Sequence, residues 1–382
     1  MRTWWKRAKR RHYKRHNPTS TDKSSLYEPL PSDSSIRLIT LQPGNFNDPI
    51  RCTLEVFQLA SVPPYEAISY VWGDPTPRNQ IRCNERRHLI GDNLYDALRN
   101  VRLENEPRII WVDALCINQA NLGERSHQVL LMRNIYSQAR KTLICLDIKP
   151  SIDPDEVHWT DIAYEAILII TNWSERNSFP SWHRCLQSDE SDLPPLQAKH
   201  ADALKRLFSC KWFCRVWIIQ ESVLSPESVF IVNQREWTWS LLGVTACRLF
   251  EYASAIDGLD ISAILSLSQC NQIWRMIFQK KDGSNGTLFS NMIKFRSALA
   301  TDPRDLIYGL LGVSQERSLL EQQMGNDVKP PIPLPNYKDS LSNVFADWGR
   351  YFIESSGNLE ILSRTLVCGT GSPYRLDFIP HG

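Results

Sequence analysis

The chain has 382 residues, 44 Lys+Arg against 42 Asp+Glu, and is 42% hydrophobic. That composition excludes a disordered chain, a collagen-like repeat and a Cys-dense secreted scaffold, and at roughly 150 residues per domain it allows two or three domains or one large one. No apolar run reaches the ~18 residues that span a bilayer, and a net charge of +2 argues against a protein that coats nucleic acid over its whole surface.

The charge is unevenly placed. Residues 1–25 hold nine Lys/Arg and one acid, net +8, so the remaining 357 residues carry −6. No apolar stretch follows these charges, so they are not a secretory signal. Packed like charges cannot bury a core, which predicts disorder through about Ser35. The tail reads as a nuclear-import signal, an acidic-lipid contact with Trp4 and Trp5 at the headgroups, a nucleic-acid arm, or a solvated solubilising tail.

Ile36–Leu41 and Cys52–Leu59 read as strands around a turn at Pro43-Gly44. Glu66–Trp72 is a strand that stops at Gly73-Asp74-Pro75, a strong turn signal. Gln80–Ile90 is a polar hairpin. Asp92–Leu103 sets Leu94, Ala97, Leu98 and Val101 on one face of a helix, with Asp92 or Asn93 as its cap. Arg108–Leu115 and Lys141–Asp147 are compact apolar runs, the mark of strands buried on both faces, and Glu124–Ala139 between them has helical spacing. Strand, helix, strand, helix, strand predicts a right-handed α/β unit.

After Asp147 the pattern breaks. Residues 148–200 hold one long helix (Val157–Arg176) and a polar stretch, Ser188–Pro195, and read as an insertion. Ala201–Leu224 returns to helical spacing and Ser228–Val232 to strand. Trp239–Ala255, Ile261–Lys281 and Asn291–Leu299 are helical, with loops at Gly283–Gly286 and Pro330–Pro335. The organisation is a basic tail (1–35), an α/β domain (36–235, core 65–224) and a helical region (236–382).

Ten cysteines are scattered without a C-x-x-C, and the eight histidines show no zinc-binding spacing. Without a signal peptide they read as reduced, mostly buried thiols and predict no metal site. Cys116 sits in an apolar stretch and nothing places His127 beside it, so the pair is not read as a Cys–His hydrolase. Gly369-x-Gly371 lacks a third glycine and a strand-to-helix setting, and no P-loop is present. Arg304-Asp305 reads as an ion pair at a helix start.

Three blocks stand out together: Tyr65–Asp74 (YEAISYVWGD), Trp111–Gln119 (WVDALCINQ) and Arg215–Glu221 (RVWIIQE), followed downstream by Thr301–Gly312 (TDPRDLIYGLLG). In this order they resemble the fungal heterokaryon-incompatibility (HET) domain, over about residues 36–370. The resemblance implies a protein of nonself recognition between hyphae that triggers programmed cell death, acting through self-association or with other incompatibility proteins. It implies a cytoplasmic location, with the nucleus open through the tail. Members of the family often continue beyond the block that ends here at Gly382.

More distantly, the blocks are similar to the TIR domain, a doubly wound α/β signalling module, some members of which hydrolyse NAD. The resemblance therefore implies a TIR-like (flavodoxin-like) parallel sheet with helices on both faces, followed by a mostly α-helical region. It implies NAD as a substrate, with no resident cofactor. Trp217-Ile218-Ile219-Gln220-Glu221 has the spacing of the TIR catalytic glutamate, and Trp111-Val112-Asp113 that of its second strand.

The residues themselves support two readings at each position. Glu221 lies in an apolar run, so its carboxylate is partly buried and either pairs with Arg215 or a backbone amide, or faces a ligand. Asp113 ends a central strand, where open α/β sheets bind ligands. It either orders Glu221 or a ribose hydroxyl, or caps its own loop. Tyr70, Trp72, Gly73 and Asp74 end the neighbouring strand at the same edge as candidate ligand-binding residues. Trp72 either stacks on a nicotinamide or adenine or, as aromatic strand residues usually do, packs in the core.

Overall fold

The structure, a computed structural model, describes residues 26–74, 76–148, 158–176, 194, 196–233, 235–251, 260–279, 286–323, 332–357 and 359. In chain order the elements are β1 (Ser35–Leu41), β2 (Arg51–Gln58), β3 (Glu66–Tyr70), β4 (Asn79–Cys83), β5 (Arg86–Ile90), α1 (Asp92–Val101), β6 (Arg108–Trp111), α2 (Asp113–Cys116), α3 (Leu122–Gln138) and β7 (Thr142–Cys145). They continue with α4 (Trp159–Arg176), α5 (Ala198–Phe208), α6 (Ile218–Val223), β8 (Ser228–Val232), β9 (Arg235–Thr238), α7 (Trp239–Glu251), α8 (Ile261–Gln279), α9 (Leu288–Lys294), α10 (Asp305–Leu311), α11 (Gln315–Gln323) and α12 (Leu341–Ser356).

The nine strands of the described residues form one sheet in the order β5-β4-β2-β1-β6-β3-β7-β8-β9. Its centre, β6-β3-β7-β8, is parallel throughout. Taken in chain order these four strands lie 2-1-3-4, the flavodoxin-like doubly wound order, whose ligand crevice lies at the carboxyl ends of the strands. Thr-Leu-Ile-Cys of β7 and Ser-Val-Phe-Ile-Val of β8 are buried along their whole length, as parallel strands covered on both faces must be. The flanks are antiparallel: β1 bridges β2 to β6, and β9 closes the other edge on β8. β4 and β5 extend the sheet beyond β2 as a hairpin.

Helix α1 buries Leu94, Ala97, Leu98 and Val101 as its spacing predicts, but its cap is the backbone of Gly91; Asn93 instead donates its side-chain amide to the Val71 carbonyl at 3.0 Å. Asn121 caps α3 by accepting from the Gly123 and Glu124 N–H groups. Two expected elements are shorter than their apolar runs. The strand from Arg108 ends at Trp111, and Leu115 and Cys116 bury themselves from a single helical turn packed on β1. The helical run 201–224 is divided into α5, a 3₁₀ turn at Lys211–Cys214 and α6. The turn carries Trp212 and Phe213 into an aromatic cluster with Phe208, Phe230 and Trp239, ring centroids 5.1–6.3 Å apart.

Helices α4 and α5 pack on one another and on α7 and α8, and α8 packs on α6. Leu26 and Tyr27 pack against the core. The basic residues 1–25, the stretch at 188–193, the loop at 283–285, Gly369-x-Gly371 and the chain end lie outside the described residues. Among the described residues no helix is long and apolar enough to cross a membrane.

Candidate functional site

The site is built from the end of β3, the end of β6 and the start of α6. Side chains alternate along β3, so Ser69 and Tyr70 leave the sheet on opposite faces. Ser69 meets Glu221: its hydroxyl donates to Glu221 Oε2, across 152 residues of sequence. The Trp212 indole N–H donates to the same hydroxyl oxygen at 2.7 Å, held there by the aromatic cluster. Arg215 donates to the Tyr70 carbonyl and stands 3.9 Å from Glu221 Oε2. Tyr136 of α3 donates to the Ile68 carbonyl at 3.4 Å, closing the group from below.

Glu221 is only 2% exposed. Burial pushes its carboxyl up to about 7, against the pull of Arg215 and the Ser69 hydrogen bond, with the Asp113 charge adding to the rise. Asp113 is likewise raised by burial and pulled back by Arg215 and the Trp72 N–H. It opens α2, taking the Ala114 N–H at 2.7 Å on one oxygen and the Trp72 indole N–H at 2.8 Å on the other. Asp113 thus caps its own turn, and its charge reaches Glu221.

Trp72 is 45% exposed, so its core-packing reading is corrected. The strand ends two residues earlier, at Tyr70, and the half-exposed indole gives its N–H to Asp113. Gly73 has φ +73, and a Cβ there would lie 2.6 Å from the Asn93 amide, so the turn requires glycine. Asp74 serves its own loop, accepting from the Thr76 N–H at 2.9 Å and pairing with Arg78 at 2.6 Å. Tyr70 is buried. With Val71, Asn93, Asp96, Asn100 and Asp147 it lines a shallow cleft at the carboxyl ends of β3 and β7, on the α1 side. Glu221 and Asp113 do not line that cleft.

The downstream block holds the Glu221 helix in place. Gly309 of α10 and Gly312 just after it lie against Val216 and Gln220, so close that a Cβ on Gly312 would stand 2.2 Å from Gln220 Oε1. Gln220 donates to the Tyr308 carbonyl at 2.8 Å. The expected Arg304–Asp305 pair is replaced: Arg304 binds Asp302 at 2.8 Å, while Asp305 accepts from the Tyr337 hydroxyl and faces Arg125 at 3.8 Å. A side chain reaching Asp302 in the preceding turn leaves Asp305 free to join α10 to α3. His127 contacts the Asp33 carbonyl, and Cys116 is buried with its sulfur taking the Val112 N–H. Among the described residues no group of three or more His, Cys, Asp or Glu is arranged to hold a metal ion.

Ser69 and Trp212 had not been singled out by sequence. The signal for Ser69 is a small polar residue between the buried Ile68 and Tyr70 of β3; Trp212 carries none beyond its aromatic character.

The family model for the heterokaryon incompatibility protein (HET) matches residues 65–221, from just before β3 to Glu221 itself. Heterokaryon incompatibility protein 6, OR allele, of Neurospora crassa is 25% identical over 394 residues, covering 90% of this chain and 55% of the relative. Vegetative incompatibility protein HET-E-1 of Podospora anserina is 22% identical over 171 residues, covering 44% of this chain and 10% of the relative. The chain thus spans about half the length of the first relative and a tenth of the second. No solved structure matches. The three sequence blocks lie within the family match that ends on Glu221, and both relatives are incompatibility proteins: residues 65–221 are similar to the heterokaryon-incompatibility domain.

Proposed function

We propose that the chain acts in vegetative incompatibility, and that its HET domain triggers death of the fused cell by hydrolysing NAD once self-associated. One observation carries the enzymatic part. A carboxylate held near neutrality, Glu221, is anchored by Ser69 at the carboxyl edge of a parallel sheet whose 2-1-3-4 order is also that of TIR domains. Strongly shifted groups of this kind gather at functional sites.

The chemistry asks little of the protein. Breaking the bond between nicotinamide and ribose C1′ releases a cationic pyridinium as a neutral molecule, so no general acid is needed. The ribose passes through an oxocarbenium-like state whose positive charge one carboxylate offsets while holding the sugar hydroxyls. Glu221 takes that role when ionised. Asp113 orders the ribose side of the site, and Trp72 offers an indole face to the nicotinamide or adenine. Because Glu221 is 2% exposed, the active state is one in which the Trp72–Asp113 contact has opened. Self-association supplies the free energy that opens it.

A second reading, a non-enzymatic oligomerising scaffold, is favoured by that same burial: Ser69 and Trp212 complete a hydrogen-bonded chain that needs no ligand. Clustered, purified protein incubated with NAD separates the two. Nicotinamide release by the wild type, abolished in Glu221→Gln and rising from pH 6 to pH 8 as Glu221 ionises, is the expected result. No release from clustered wild type leaves the scaffold, and release by Glu221→Gln equal to wild type removes Glu221 from the chemistry.

A further inference from the structure

The hairpin at the far edge of the sheet brings two thiols together. Cys52 of β2 and Cys83 of β4 stand opposite one another in the parallel β2–β4 register, and both are buried. Paired residues of parallel strands project to the same face, and strands about 4.7–4.9 Å apart fall within the ~4.4–6.8 Å Cα separation that a disulfide spans. The two thiols act on one another, which lowers Cys83 from the ordinary thiol range and raises Cys52. A third sulfur, Cys116, is electrostatically within reach of both, but it occupies the Val112 N–H at 3.4 Å.

The hairpin is attached to β2 by few bonds. Arg82 donates to the Ile50 carbonyl at 3.0 Å and Asn84 to the Cys52 carbonyl at 3.1 Å. The Asn84 side chain then extends the ladder, accepting from the Leu54 N–H at 2.8 Å and donating to its carbonyl at 3.2 Å. Edge elements held this way open locally at low cost, which gives a small oxidant access to buried sulfurs.

We propose that Cys52 and Cys83 are a dithiol modification site, oxidised by peroxide to a disulfide that fastens the β4–β5 hairpin to β2. The Cys83 thiolate attacks one peroxide oxygen, the O–O bond breaks, and a sulfenic acid and one water form. The Cys52 sulfur then attacks Cys83, the S–S bond forms, and the second water leaves. Two thiols lose two electrons and two protons in all, and one peroxide becomes two waters. The consequence reaches the candidate site through the chain. The hairpin directly follows the Trp72–Asp74 loop, and Arg78 at its entry pairs with both Asp74 and Asp92, so a fastened hairpin fixes the loop that carries Trp72.

The test treats reduced, folded protein with hydrogen peroxide, blocks remaining thiols, and maps cross-linked peptides by mass spectrometry. The expected product is a Cys52–Cys83 peptide with the intact mass lowered by two hydrogens. It should persist in Cys116→Ser and be absent in Cys83→Ser. The oxidised wild type should unfold at higher denaturant than the reduced form, and dithiothreitol should reverse the shift. Recovery of both thiols unmodified, or a cross-link that runs to Cys116 instead, overturns the assignment. Mapping the wild type alone decides, whatever the variants do to folding.

Discussion

Two of the Arg–Glu pairs among the described residues are built to different standards. Arg37 and Glu124 lie 2.6 Å apart, with side chains 2% and 9% exposed. Arg37 donates to both Glu124 oxygens and to the carbonyls of Cys116 and Glu28, and Glu124 also takes the Asn118 N–H at 2.8 Å. The pair thereby ties the N-terminal segment and β1 to α3. Arg215 and Glu221 are 3.9 Å apart. Arg215 donates to the Tyr70 carbonyl, and Glu221 takes a neutral hydroxyl. A completed pair offsets the cost of burying charge and serves the fold. The incomplete one leaves its carboxylate pushed up to about 7, able to bind or release a proton near neutrality.

Truncation should expose the difference most strongly. Glu124→Ala leaves the Arg37 guanidinium buried without its counter-ion, and is expected to cost about 3–5 kcal/mol in urea unfolding. Arg215→Met should cost about half that or less at pH 6, because Glu221 escapes by taking a proton. Equal losses at pH 6 would mean that the two pairs are energetically alike and that the 3.9 Å separation carries no meaning.

The next effect is smaller and depends on pH. The folded state holds the Glu221 proton up to about 7, whereas an unfolded chain releases it near the ordinary value of 4.5. Between those values the folded state binds more protons, so this group makes stability fall as pH rises from about 4.5 to about 7, and the loss persists above. Glutamine does not titrate. The stability of Glu221→Gln relative to wild type is therefore expected to improve by up to about 3 kcal/mol between pH 4 and pH 8. Paired urea midpoints across that range measure it, and a flat difference would show that Glu221 ionises like an exposed glutamate.

Much of this contrast was readable from the chain, though not its geometry. The four parallel strands announce themselves as apolar runs, and Glu221 and Asp113 stand out as acids within or beside such runs. An apolar run does not say where a strand stops. Leu115 and Cys116 continue the pattern of β6 yet are buried by a helical turn. Trp212 and Phe213 keep helical spacing yet sit in a 3₁₀ turn, because the aromatic cluster with Phe230 and Trp239 draws them inward. Ser69 shows only as a small polar residue in its strand, because its importance is a contact made across 152 residues. Whether Arg215 completes a pair with Glu221 depends on 3.9 Å against 2.6 Å, a distinction that no spacing encodes.

Trp72 offers the smallest expected effect on stability and the sharpest question about the incomplete pair. Trp72→Phe keeps an aromatic ring at the surface and removes only the N–H that Asp113 accepts, so the cost should be about 1 kcal/mol or less. Losing that donor removes one of the interactions that hold Asp113 down, so its carboxyl should move further up. A raised Asp113 is less often charged and weakens its own repulsion of Glu221, which should lower the Glu221 value slightly. Two readouts follow: the pH at which the difference between wild type and Glu221→Gln levels off should shift downward in the Trp72→Phe background, and nicotinamide release should need less clustering. Neither change can arise if Trp72 merely lies on the surface, and neither should touch a variant of the Arg37–Glu124 pair.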